Sequence, residues 1–212
     1  MSHDHDDFQI EPVRGLPEVP PEGERILWQG APSWLALARD AFKTRWIAGY
    51  FAAMAGWSIL NTGAGGAPID WRAGVPFLVM GGIALALLYL IALVQAKTTV
   101  YTITNRRVAM RIGAALTVTL NLPYKWVGSA DLAVRKNGNG TIALDLIGST
   151  KFSYLVCWPH VRPWHIARPQ PALRSIPDAE KVAQILADAA HANVTVSSQA
   201  EERSAAALVA AE

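Results

Sequence analysis

Charge and cysteine are what this chain has least of. Only 17% of its 212 residues are Asp, Glu, Lys or Arg, against roughly 25% in an average soluble domain. Lys and Arg outnumber Asp and Glu by 19 to 17, and a formal net charge of +2 offers no strong electrostatic footprint for a nucleic acid. The single cysteine, Cys157, cannot form an intrachain disulfide, which excludes a disulfide-stapled scaffold and any multi-cysteine zinc or iron–sulfur site. GxGxxG, P-loop, HExxH and CxxC spacings are all missing, so no common catalytic or cofactor motif is in view. The opening MSHDHDDF is acidic and has no apolar stretch of the secretory type, so membrane insertion is expected to rest on internal helices. Apolar residues, in contrast, make up 51% of the chain. With a mean hydropathy of +0.19, this excludes a disordered polymer and argues against a wholly soluble globule.

The run from Ala73 to Ala96 carries no charge. As a helix it would be about 36 Å long, more than the ~30 Å hydrocarbon core of a bilayer. The segment from Trp46 to Thr62 is also uncharged but shorter and richer in Ala and Gly. The loop between them, Gly63 to Arg72, is short and Gly-rich, so the two helices are expected to form a transmembrane hairpin. Gly49 with Ala53, Ala52 with Gly56, and Gly82 with Ala86 have the small-xxx-small spacing that lets helices approach closely in lipid. The same spacing also follows from composition alone. Where it is functional, it permits self-association. Arg39, Lys43 and Arg45 precede the first helix, and Lys97, Arg106, Arg107 and Arg111 follow the second, whereas the loop has only Arg72 beside Asp70. Both termini are therefore expected in the cytoplasm, with Trp46 and Trp71 in the interfacial belts.

Around the hairpin the chain divides into further expected segments. Residues 1–24 form a proline-containing, flexible arm, whose His3, Asp4, His5 and Asp6 read as a solvated acidic tail and not as metal ligands. Residues 25–45 form an interfacial segment. Within it, Trp34, Leu37, Ala38, Ala41 and Phe42 fall on one helical face, with Arg39, Lys43 and Arg45 placed to reach headgroups. A helix packed on the soluble domain explains the same pattern. The hairpin occupies 46–96, a cytoplasmic domain 97–193, and a flexible Ala- and Glu-rich tail 194–212.

Within 97–193 the period changes from helical to two. Residues 99–104, the set Val108, Met110 and Ile112, and the set Leu116, Val118, Leu120 and Leu122 read as strands. Leu132 and Val134, then Ile142, Leu144 and Leu146, flank an Asn137-Gly138-Asn139-Gly140 turn, and Phe152 to Val156 follows a turn at Gly148-Ser149-Thr150. Pro177-Asp178-Ala179-Glu180 starts a helix with Val182, Ile185, Leu186 and Ala189 on one face. The whole is an α+β membrane protein. Its soluble part is a small antiparallel β barrel or sandwich closed by a C-terminal helix.

Between sheet and helix lies a segment of another character, Trp158 to Arg174, with four prolines and with Trp158, His160, Arg162, Trp164, His165, Arg168 and Arg174. Proline stiffening lowers the entropy cost of binding, and Trp and Arg dominate interface hot spots, so Trp158, His160, Arg162, Trp164, Arg168 and Arg174 are candidate partner-binding residues. The competing reading is a loop wrapped on its own domain with the tryptophans as core anchors. Cys157 stands three residues before His160, but a Cys–His pair in sequence is weak grounds for catalysis, and no catalytic residue is assigned. Neither membrane helix contains histidine to ligate a pigment magnesium, and Asn61 and Gln95 are weak substitutes, so no cofactor is expected.

Three motifs carry a resemblance to known families. Gly23-Glu24-Arg25-Ile26-Leu27-Trp28-Gln29-Gly30-Ala31-Pro32-Ser33 ahead of a helical hairpin, and Tyr101-Thr102-Ile103-Thr104-Asn105-Arg106-Arg107-Val108 after it, resemble membrane-anchored bacterial PH-like proteins. The Trp158-Pro159-His160, Arg162-Pro163-Trp164, Arg168-Pro169-Gln170-Pro171 and Ile176-Pro177-Asp178-Ala179-Glu180 steps resemble the PuhB family of photosynthetic-complex assembly proteins of purple bacteria. The resemblance covers residues 22–192. It implies a PH-like domain and a non-catalytic assembly factor of the bacterial inner (intracytoplasmic) membrane, with reaction-centre or core-antenna subunits and membrane lipid as partners. The alternative is a general membrane-anchored PH-like scaffold or lipid-binding module, in which Arg106, Arg107 and Arg111 meet acidic headgroups.

Overall fold

The computed structural model describes residues 13–113, 117–148 and 152–209, with side chains described up to residue 195. His3, Asp4, His5, Asp6, Leu116, Ser149 and Thr150 lie outside the described residues. The chain forms two units: residues 33–97, and a domain built from residues on both sides of that insertion.

The domain holds two antiparallel sheets. The first has the order β1 (Ile26–Gly30), β2 (Val100–Thr104), β3 (Arg107–Ile112), β4 (Val118–Pro123). The second has the order β5 (Val127–Val134), β6 (Gly140–Leu146), β7 (Ala172–Ile176). Alternation on β3 and β4 sends Val108, Met110, Ile112, Leu120 and Leu122 inward, where they meet Ile142 and Leu144 from β6 and Leu173 and Ile176 from β7. The C-terminal helix, labelled α5 below (Ala179–Val209), lays Ala179, Val182, Leu186 and Ala189 on this core. The β5–β6 turn forms where expected, with Gly138 at φ 79° and Asn137 Oδ1 accepting from the Asn139 amide at 3.3 Å.

Several boundaries differ from those the sequence suggests. Residues 26–30 are not interfacial. They form β1, pairing Gly30 with Tyr101 and Ile26 with Thr104. The arm is not loose from residue 13 onward, because β2 is buried along its whole length and needs a cover on its second face. Leu16 is buried, and Gly15 (φ 82°) lies so close to Val100 that a Cβ would come within 2.5 Å of it. Glu24 accepts from Arg107 Nε at 2.7 Å and Nη2 at 3.0 Å, and from the Thr104 hydroxyl at 2.8 Å. Residues 154–157 make one helical turn, α4 (Tyr154–Cys157), in place of the expected strand, with Leu155 and Val156 outward. The second sheet instead takes its third strand from residues 172–176, at the end of the proline-rich segment and just beyond it. The C-terminal helix continues through the expected tail to Val209.

The inserted unit holds α1 (Trp34–Asp40), α2 (Thr44–Thr62) and α3 (Val75–Thr98). The apolar face of α1 packs on α3, with Leu37, Ala38 and Phe42 against Leu88, Tyr89 and Ala92. Lys43 at φ 53° breaks α1 from α2. The approach of α2 to α3 and to the turn before it is set by Gly81 against Phe51 and Gly74 against Ile59, where added Cβ atoms would lie at 2.8 and 2.7 Å. The glycines of the expected small-residue pairs, Gly49, Gly56 and Gly82, have open space around them and do not join these helices. Of the two helices expected to cross a membrane, only the second is long and apolar enough among the described residues, over Trp71–Thr98. The other, α2, is diluted by Ala, Gly, Ser, Thr and Asn.

The Glu24 carboxylate is 2% exposed and its Arg107 partner 23%. Replacing Glu24 by Ala leaves that guanidinium without its carboxylate, while the Thr104 hydroxyl keeps the Arg107 carbonyl at 3.1 Å, and is expected to destabilise the domain by about 2 kcal/mol. Thermal unfolding of the purified full-length protein measures this, and an unchanged midpoint would refute the role given to the pair.

Candidate functional site: the loop of residues 158–171

The loop is built outward from the core. His160 is fully buried. Its Nδ1 lies 2.6 Å from the Tyr101 hydroxyl and its Nε2 lies 3.1 Å from the Thr99 hydroxyl. The Tyr101 oxygen also accepts the Arg174 amide at 3.3 Å, and a neutral imidazole between the two hydroxyls donates from one ring nitrogen and accepts at the other. Burial, and then the nearby Arg174 charge, lower the His160 pKa to about 3, and the ring is neutral. Burial also raises the pKa of Tyr101. Arg174 is itself buried and donates from Nη1 to the Pro159 carbonyl at 3.0 Å.

The next layer is a neck. Val161 bridges Pro171, and the Arg162 amide donates to the Gln170 carbonyl at 2.9 Å. The Arg162 guanidinium pairs with Asp131 on β5 and donates to Gln170 Oε1 at 3.0 Å. Gln170 Nε2 donates to Asp145 on β6 at 3.0 Å. Both sides of the neck are thus bolted to the second sheet.

Beyond the neck the polarity reverses. Trp164 is 89% exposed and Ile166 67%, with Arg168 exposed beside them. Trp164 also has φ 67°, a left-handed conformation that costs a non-glycine residue about 1 kcal/mol or more. Leu155 (83%), Val156 and Trp158 are exposed where the chain enters the loop.

The six candidate partner-binding residues therefore separate into two groups. Trp158, Trp164 and Arg168 face solvent. His160 and Arg174 are internal supports, and Arg162 is a clamp. Both ring nitrogens of His160 are taken by Tyr101 and Thr99, and burial raises the Cys157 thiol pKa, so the two do not form a nucleophile–base pair. No cluster of metal-ligating side chains occurs among the described residues. Of the membrane-interface candidates, Arg39, Lys43, Arg45, Trp46 and Trp71 are exposed and Trp34 stacks edge-on with Tyr89. Arg106 is also exposed and donates to the Glu22 carbonyl at 3.4 Å, whereas Arg107 is held by Glu24. Sequence reasoning missed Asp131, Asp145 and Gln170, which make the neck. Of these only Gln170, set between two prolines, carried any local signal.

Residues 46–190 match the bacterial PH domain family, and the chain belongs to that family. The match takes in α2 and α3, so the helical insertion is part of the family pattern. The chain is also 48% identical over 194 residues, 90% of each chain, to a Rhodobacter capsulatus protein described as an uncharacterized 23.7 kDa protein in the puhA 5′ region. Both matches agree with the PuhB-family resemblance drawn from the Trp, Pro and Arg steps. No solved structure matches the chain.

Two outcomes follow from this geometry. Trp164→Gly removes a left-handed strain and no core contact, so the variant is expected to unfold at the same temperature or higher, with a gain of up to about 1 kcal/mol. A loss of about 3 kcal/mol, as for a buried tryptophan, would contradict the exposed position. His160 gives a pH dependence. Its folded pKa is about 3 against an ordinary 6.5, so in that window the unfolded chain holds the extra proton. Stability is full above pH 6.5 and falls as pH drops toward 3, by up to about 1.4 kcal/mol per pH unit. Denaturation midpoints against pH should flatten over this range in His160→Gln, and an unaltered slope would refute the assignment.

Proposed function

We propose that this protein is a non-catalytic assembly factor for the photosynthetic reaction centre or its core light-harvesting complex, anchored in the bacterial inner (intracytoplasmic) membrane. Trp164 carries the binding reading. A residue that is both strained and exposed costs the fold stability, and the cost is understandable where the side chain meets a partner. The relative in the puhA 5′ region supports a photosynthetic context. The exposed Trp158, Trp164 and Arg168 would contact the cytoplasmic surface of a reaction-centre or antenna subunit.

A two-span anchor is supported by topology. Residues before and after the insertion pair in one sheet, Gly30 with Tyr101. A folded domain lies on one side of the membrane, so the insertion between those strands crosses an even number of times. If α3 crosses, another segment must return. The other long helix is α2, uncharged from Trp46 to Thr62 and about 28 Å in length. The excess of Lys and Arg at the outer ends of the two helices favours a cytoplasmic domain. The reading as a general lipid-binding scaffold is weaker, because Arg107, one of its three basic residues, is already engaged by Glu24.

Deleting the gene in its host is expected to lower the near-infrared absorbance of the reaction centre and core antenna in isolated membranes; unchanged spectra would sink the proposal. Trp164→Ala with Arg168→Ala should insert normally and fail to restore the spectra. Topology is read separately with a membrane-impermeant maleimide, since the native Cys157 is buried. Ala67→Cys should be labelled from outside the cell and Lys136→Cys only after permeabilisation; labelling of both from one side would overturn the two-span anchor.

A further inference from the structure

A second surface of the domain is independent of the loop and of the photosynthetic reading. Between β5 and α5 runs a groove of about 610 Å³. Gly128, Ala130 and Leu132 form one wall and Ala183, Ala187 and Ala190 the other. β5 is an edge strand, paired only with β6 among the described residues. It is exposed over almost its whole length and contains no proline and no lysine, the usual protections of an edge. Its one charge, Asp131, points to the opposite face, where Arg162 holds it.

We propose that this groove binds an extended peptide segment of a partner protein, added antiparallel to β5 as a further strand and carrying a basic residue at its N-terminal end. The backbone selects an extended occupant. Anything that covers the β5 edge must supply N–H and C=O groups to it or leave buried polar atoms unpaired; a lipid chain or a helix does not meet that requirement and a strand does. The walls select apolar side chains, because Gly and Ala leave the space open. The charge selects the basic end. Glu180 is the one carboxylate lining the groove, and no Lys or Arg lines it. Glu180 lies at the Val134 end of β5, since Gly140, the partner of Val134, lies directly against Ala179. An antiparallel strand begins at that end. The chain's own residues 1–12 carry Asp4, Asp6, Asp7 and Glu11 and would bring like charge to Glu180.

The test uses the full-length protein in detergent micelles. The probe is a peptide of about eight residues, the length of the β5 edge, alternating valine and threonine behind an N-terminal arginine. A twin peptide has glutamate in place of the arginine. By fluorescence anisotropy the arginine peptide should bind about fivefold more tightly than its twin, and Glu180→Lys should reverse that order. Ala187→Trp, which fills the groove from an exposed position on α5, should weaken both by about tenfold or more. In the wild type, which needs no substitution to fold, the arginine peptide should slow amide hydrogen exchange across residues 127–134. Unslowed exchange there, or equal binding by Ala187→Trp, would overturn the proposal. So would a wild-type dimer that Ala187→Trp dissociates, since the occupant would then be a second copy of this chain.

Discussion

The pairing of β1 with β2 is the interaction on which the rest of the molecule depends. It joins residues on either side of the helical insertion and makes one sheet from segments far apart in sequence. Loop-closure entropy rises only slowly with length, so a long insertion is tolerated if the closing contacts are good. They are reinforced at several points. Asn105 accepts from the Arg25 amide at 2.8 Å and donates to the Gly23 carbonyl at 2.9 Å. Gln29 donates to Thr102 at 3.0 Å, and Glu24 joins Arg107 to Thr104. Both ends of the helical insertion therefore join one folded domain.

The loop shows how stability and binding are divided along a short stretch of chain. His160 is neutral and satisfied at both nitrogens, so it fixes the base of the loop without adding charge to the core. The Arg162 clamp to Asp131 and Gln170, with Gln170 tied to Asp145, holds both sides of the neck to the sheet. Only then does the chain present Trp164 and Ile166. The conformational entropy of ordering the neck is lost on folding, so less remains to be lost when a partner arrives. A strained tryptophan on a rigid neck is consistent with this division, because a mobile loop would relax out of a left-handed φ.

Much of the domain was legible because alternation on β3, β4 and β6 is regular and the Asn-Gly turn is unambiguous. What was hidden depended on partners distant in sequence. Ile26–Gly30 has no clean alternation, and its strand state comes from the pairing offered by β2. Leu173 to Ile176 lies between prolines and reads as loop until the free side of β6 is considered. Phe152 to Val156 carried a strand-like composition but turns helically on its way to the loop. For the site, residue type pointed to the right segment but not to each residue's direction. His160 and Arg174 look like Trp164 and Arg168 in a composition argument. They differ only in Tyr101, Thr99 and Pro159, which the fold brings to them.

The exposed features of the domain suit association. The ionisable groups at the centre of the domain have partners: Glu24 with Arg107, His160 with the Tyr101 and Thr99 hydroxyls, and Arg174 with the Pro159 carbonyl. What faces outward is apolar side chain, at Trp164, Ile166 and Leu155, and the edge of β5, which pairs only with β6 among the described residues. Apolar burial and backbone pairing at sites of this size give modest affinities that reverse readily, and the two proposed sites on one domain would raise the effective concentration of the second once the first is filled. The proposed membrane anchor would act in the same direction, by confining the domain to the surface where the proposed membrane-embedded partner is built. A factor that must hold an assembly intermediate and then release it needs such a combination, because a single high-affinity site would hold the finished complex as firmly as the unfinished one.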